Sequence, residues 1–208
     1  MGRWQEMFRS IYGAHNRRFY SAKDLILRLF EEAAIITEAL RRESEEEIPS
    51  HIACFFGWLF AFCNDQEIDL GRAIFSKYGG VCPYCGQERN CVCISNETKP
   101  RAWKKDPAQK MPVSLQEWLQ IFERIYGRIN KVAGREKVWL HVAEELGEIS
   151  RAFRFNQNRE IQEELADLFA WLAAFCNLLK INLPEATYSA YPEKCITCNH
   201  EVCRCDLV

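Results

Sequence analysis

Glu144-Glu145-Leu146-Gly147-Glu148, followed by Glu164-Leu165-Ala166-Asp167, is the stretch from which the fold can be read. Both pieces repeat an acid at i, i+3, a spacing that sets two carboxylates side by side on one face of an α-helix. Apolar residues keep a helical beat around them. They are Val138, Val142, Leu146, Ile149 and Phe153 in the first piece, and Ile161, Leu165, Leu168, Leu172 and Phe175 in the second. Glu145, Glu148, Glu164 and Asp167 each directly precede a stripe residue, so the four acids line the rims of two inward-facing stripes. If the two helices pair, the carboxylates converge and repel one another unless a cation neutralises them, and an all-oxygen set suits Mg²⁺ or Mn²⁺. Two solvated acidic helix edges are the alternative reading.

Working outward from this stretch, the chain reads as a tandem repeat. Glu31-Glu32 returns as Glu144-Glu145, Trp58-Leu59 as Trp171-Leu172, and Ala61-Phe62-Cys63-Asn64 as Ala174-Phe175-Cys176-Asn177. Ile68, Leu70, Ala73, Ser76, Tyr78 and Cys82 return at the same offset as Ile181, Leu183, Ala186, Ser189, Tyr191 and Cys195. Nearer the start, Trp4, Phe8, Tyr12 and Asn16 match Trp118, Phe122, Tyr126 and Asn130 with the offset changed by one. Helical periodicity predicts four helices per repeat: 4–17, 22–42, a buried one from Pro49 through Phe62, and 69–77, then 115–131, 136–155, 159–179 and 183–190. Strand signals are absent. Residues 94–113, polar and holding Pro100, Pro107 and Pro112, read as a linker between units 1–93 and 114–208.

Composition narrows the function classes. The 208 residues are 48% hydrophobic and 27% charged, as in an ordinary globular protein, and the formal net charge of −2 disfavours nonspecific nucleic-acid binding. There is no apolar run of membrane-spanning length, and the opening residues lack the apolar region of a signal peptide. The expectation is a cytoplasmic protein with no membrane partner.

Eight of the eleven cysteines fall into two sets: Cys82, Cys85, Cys91 and Cys93, then Cys195, Cys198, Cys203 and Cys205. CxxC followed by CxC supplies four thiolates, enough to close a tetrahedral zinc site, and closed sites of this kind are structural. Disulfides or redox pairs are the alternatives. Gly86 and Asn199 directly follow the CxxC pairs, where a tight turn is needed. Cys54, Cys63 and Cys176 read as core residues.

EExxE followed by ExxD on consecutive helices resembles the MazG-like all-α nucleoside triphosphate pyrophosphohydrolases. The likeness runs on through Leu168–Asn177 and Ile181–Ala186 and covers the second unit, with the first as a degraded copy. The resemblance implies four-helix units that pair, Mg²⁺ held by Glu145, Glu148, Glu164 and Asp167, and hydrolysis of a nucleotide to its monophosphate and pyrophosphate. In the first unit Glu32 matches Glu145, but Ile35 stands for Glu148, His51 for Glu164 and Cys54 for Asp167, so that copy is expected to be inactive.

The expectation is therefore an all-α protein whose two units form an intrachain pseudo-dimer, each followed by a Cys₄ zinc tail. Its bound ions would be Mg²⁺ (or Mn²⁺) and two structural Zn²⁺, with further pairing of chains left open. Lys77, where the resembling family places a lysine and the second repeat has Ala190, is a candidate phosphate contact reaching across the pseudo-dimer interface to the second unit's site, and Arg154, whose counterpart is Arg41, is another. Trp171 and its counterpart Trp58 are candidate base-stacking residues. Each also has a plain reading, as surface charge or core ring. A non-catalytic helical scaffold or nucleotide-binding module is the alternative function.

Overall fold

Ser21 and Ser114 each precede a helix and accept a hydrogen bond from the backbone of the residue three places on, Asp24 and Glu117, whose carboxylates bond back to the serine N–H. These capping boxes satisfy donors that a bare helix start would leave open. The computed structural model describes residues 1–93 and 110–206, and most of the expected linker, residues 94–109, lies outside them. Its α-helices are α1 (Gly2–Phe19), α2 (Ala22–Arg42), α3 (Ile48–Asp65), α4 (Leu70–Lys77), α5 (Leu115–Ala133), α6 (Arg135–Arg154), α7 (Asn158–Leu179) and α8 (Leu183–Ala190). A 3₁₀ turn at Glu45–Glu47 occupies the expected charged turn, and no strand occurs among the described residues. The fold is all-α, as read.

Two compact units make up the chain. One contains Met1–Leu70 with Asn182–Val208, and the other Gly71–Ile181. These are not the sequence repeats 1–93 and 114–208. The fourth helix and the Cys module of each repeat are grouped with the first three helices of the other repeat. In the first unit α3 packs on α1, α2 and α8. Its Phe55, Phe56, Leu59, Phe60 and Phe62 are fully buried, each worth about 1.5–3 kcal/mol on transfer from water. In the second unit α7 packs on α5 and α6, and Leu165, Leu168, Phe169, Leu172 and Phe175 are buried in the same way.

Within each unit the same contacts recur between matching positions of the two repeats. The Asn64 side-chain amide donates to the Gln5 carbonyl, and that of Asn177 to the Leu119 carbonyl. Cys203 N–H donates to the Ile11 carbonyl at 2.8 Å, and Cys91 N–H to the Ile125 carbonyl at 2.7 Å. Tyr191 meets Phe8 edge to face with centroids 4.8 Å apart, and Tyr78 meets Phe122 likewise at 5.0 Å. Each of these last two pairs joins a ring from one repeat to a ring from the other.

Candidate active site and cysteine centres

The helical register of α6 and α7 carries Glu145, Glu164 and Asp167 to one place in the second unit, where one carboxylate oxygen of each lies within 4.8 Å of the others. Glu148 does not join this trio. It sits exposed on α6, near enough for its charge to raise the pKa of both Glu145 and Glu164. Glu145 is 8% exposed. Its Oε1 accepts from the Trp171 indole N–H at 3.2 Å, while Oε2 is buried with no hydrogen-bond partner. Burial first, then the charges of Asp167, Glu164 and Glu148, push the Glu145 carboxyl up to about 8. Burial likewise lifts Glu164 to about 7, against the lowering charge of Lys77. Left without a cation, the site holds protons near neutral pH. The lone buried oxygen and the all-oxygen donor set fit a hard divalent ion.

Two side chains from the end of the first repeat complete the cluster. Lys77, 7% exposed, pairs its ammonium with Asp167 Oδ2 and donates to the Glu163 carbonyl at 3.2 Å. The Tyr78 hydroxyl donates to Asp167 Oδ1 at 2.6 Å. Both oxygens of Asp167 are thus held by residues outside the EExxE…ExxD pattern. Tyr78 was visible in the sequence only as a tyrosine retained in both repeats. Its carboxylate partner depends on which unit its segment joins, and nothing in the local pattern announces that.

Trp171 binds Glu145 through its indole N–H, and one face of its ring is stacked on His141, with centroids 4.2 Å apart and planes 14° from parallel. His141 was not anticipated from the sequence. Arg154, exposed at the end of α6, lies over the Phe155 ring at 5.6 Å and makes no described contact with the acids.

The equivalent place in the first unit has other chemistry. His51 Nδ1 lies 3.1 Å from Glu32 Oε2, the Cys54 thiol meets the Tyr191 hydroxyl, and Ile35 is exposed where α6 carries Glu148. The Tyr191–Cys54 contact is the counterpart of Tyr78–Asp167, with the carboxylate replaced by a thiol.

All eight clustered cysteines are free thiols, gathered in two sets whose sulfurs lie within 4.8 Å of one another. Separations run from 3.4 Å for Cys91–Cys82 to 4.0 Å for Cys82–Cys93, with 3.5 Å for Cys195–Cys203. Tetrahedral zinc with bonds of about 2.3 Å places its sulfurs roughly 3.8 Å apart, so both sets fit that ion. Gly86 and Asn199 both take left-handed φ, +73° and +57°, and donate N–H to the Cys82 and Cys195 carbonyls. These are the turns expected after each CxxC. His200 bonds through Nδ1 to the Cys198 carbonyl and is not part of the sulfur cluster.

The family model of the MazG nucleotide pyrophosphohydrolase domain matches residues 133–201, from the last residue of α5 into the second Cys module. The match covers about a third of the chain and takes in Glu145, Glu148, Glu164 and Asp167. No curated protein and no solved structure matches the chain. No helix among the described residues is long and apolar enough to cross a membrane.

Proposed function

We propose that the protein is a divalent-metal-dependent nucleotide pyrophosphohydrolase with one working site per chain, in the unit that holds Glu145, Glu164 and Asp167. The observation that carries this reading is the carboxylate trio, with Glu145 buried, one of its oxygens unpartnered, and Glu164 and Asp167 half-buried, inside the segment that matches the MazG domain. Glu145, Glu164 and Asp167 would hold Mg²⁺ or Mn²⁺, with Glu148 at the exposed rim, where a second-sphere water or the substrate can reach it. When bound, the cation offsets phosphate charge and lowers the pKa of a coordinated water for attack at phosphorus. Lys77 and Tyr78 fix the orientation of Asp167, and Trp171 fixes that of Glu145, so the donor set is organised before substrate arrives. Lys77 also supplies a positive charge beside the acids, suited to the phosphates of a nucleotide.

The first unit, with one acid where the second has four, is read as a retained, non-catalytic partner in an intrachain pseudo-dimer. The exchange of fourth helices supports this reading, because Lys77 and Tyr78 come from the repeat that lost its own acids. The two Cys₄ sets are read as structural zinc sites that fix each exchanged tail in place.

The test is incubation with a panel of NTPs and dNTPs plus Mg²⁺, with products followed by ³¹P NMR. Nucleoside monophosphate and pyrophosphate are expected. Orthophosphate as the first product, or no turnover with any member of the panel, would overturn the assignment.

A further inference from the structure

The first unit contains a cavity of about 190 Å³ beside its Cys module. Five rings line it: Phe8, Tyr12, Tyr20, Trp58 and Tyr191. They fall into two groups, Tyr20 edge-on to Trp58 at 5.4 Å, and Tyr12 edge-on to Tyr191 at 6.0 Å with Phe8 against both. The repeat shows why the space is open here. In the second unit Tyr84 and Ile129 pack against Cys82, Cys91, Cys93 and Ile125. Their counterparts are Thr197, smaller by a whole ring, and His15, polar where isoleucine is apolar. Gly57, where the other repeat has Ala170, lets Phe8 and Tyr191 close in: a Cβ there would meet the Phe8 ring and the Tyr191 hydroxyl at 3.1 Å.

We propose that this cavity is a binding site for a neutral, planar nitrogen heterocycle of nucleobase size, distinct from the metal-dependent site. Size sets the first limit. A cavity of about 150 Å³ accepts benzene, and drug-sized ligands need about 300 Å³ or more, so the space suits one or two fused rings and not a whole nucleotide. The lining sets the second. Aromatic faces and edges favour a flat π-system, and His15, Asn16 and Thr197 add hydrogen-bonding groups for ring nitrogens and exocyclic groups. Charge sets the third. No Asp, Glu, Lys or Arg is among the described lining residues, Cys195, Cys203 and Cys205 at one wall add only negative charge as zinc-bound thiolates, and the nearby Arg28, stacked over Trp58 and Tyr20, is already paired with Glu31 at 2.7 Å. A phosphate would find no counter-charge in such a cavity.

The experiment is calorimetric titration of the full chain with adenine, cytosine, uracil and their nucleosides, alongside the triphosphates without divalent metal. Tryptophan fluorescence, compared between the wild type and Trp58→Phe, isolates the response of Trp58 among the six tryptophans. Saturable binding of at least one neutral base or nucleoside is expected, tighter than its triphosphate. Thr197→Tyr, which installs the residue of the packed counterpart, should weaken it at least tenfold, and so should Ala61→Leu, which narrows the cavity from another wall. Metal content per chain checks that both variants keep their Cys sites. Asp167→Asn should leave the binding unchanged. The proposal fails if no neutral base binds at millimolar concentration, if both cavity variants bind as the wild type does, or if Asp167→Asn abolishes the binding.

Discussion

Asp167 takes a lysine on one oxygen and a tyrosine on the other, and the chemistry of the second unit follows from that grip. Removing the tyrosine hydroxyl alone leaves the ligand set intact but unsteadied. Tyr78→Phe should therefore weaken Mn²⁺ binding by about 10–100-fold, as loss of an outer-shell partner does, with helical content unchanged by circular dichroism. Equal affinity in the two proteins would show that Tyr78 is only packing. The acids should also differ among themselves. Turnover should fall further in Glu145→Gln, at the buried oxygen, than in Glu148→Gln, at an exposed carboxylate.

Protonation gives a second test at this scale. Glu145 and Glu164 are raised from 4.5 to about 8 and about 7, so with no divalent cation bound the folded state keeps protons that the unfolded chain releases. The stability they contribute is fully present below about pH 4.5 and is lost as pH rises through 7 and 8. Denaturant unfolding without added Mg²⁺ should show this decline in the wild type and a shallower one in Glu145→Gln. A wild-type slope no steeper than that of the variant would contradict it. Divalent-metal affinity should move the opposite way and strengthen as pH rises across the same range, because the ion displaces those protons.

At the scale of elements, periodicity was a good guide and partnership was not. The i, i+3 acids at 145/148 and 164/167 announced their helices and register, and α6 and α7 fall where the apolar stripes place them. The residue after each CxxC was legible as a turn because four thiolates cannot close on one ion without it, and Gly86 and Asn199 take that conformation. The destination of α4 was legible only through the family resemblance, which put Lys77 at the second unit's site, where it pairs with Asp167. An eight-residue helix with a single apolar face carries no label of its own for which bundle it will cover. Lys77 and Tyr78 could be ranked as candidates or retained residues, but not joined to Asp167. The Cys modules are the elements most open to test. The wild type should hold two zinc ions per chain by metal analysis, and Cys195→Ser should hold one, with a lower melting temperature. Zinc well below two in the wild type would remove the structural-metal reading.

For the whole molecule, the two compact units differ from the two repeats, and each contains segments from both. Neither repeat carries a finished unit by itself. Co-expressed fragments 1–93 and 114–208 should therefore copurify as a stable pair, while 114–208 alone should lose pyrophosphohydrolase activity for want of Lys77 and Tyr78. A fully active 114–208 fragment would show that the exchanged helix is dispensable. The division of labour between the units leads to the most direct measurement: pyrophosphate release from the preferred triphosphate with Mg²⁺, compared in the wild type, Asp167→Asn and Glu32→Gln. The account predicts loss of at least a hundredfold in Asp167→Asn, on the scale of removing one preorganised electrostatic group, and near-wild-type turnover in Glu32→Gln. Activity that survives Asp167→Asn, or that is lost with Glu32→Gln in a folded protein, would contradict a single working site in the second unit.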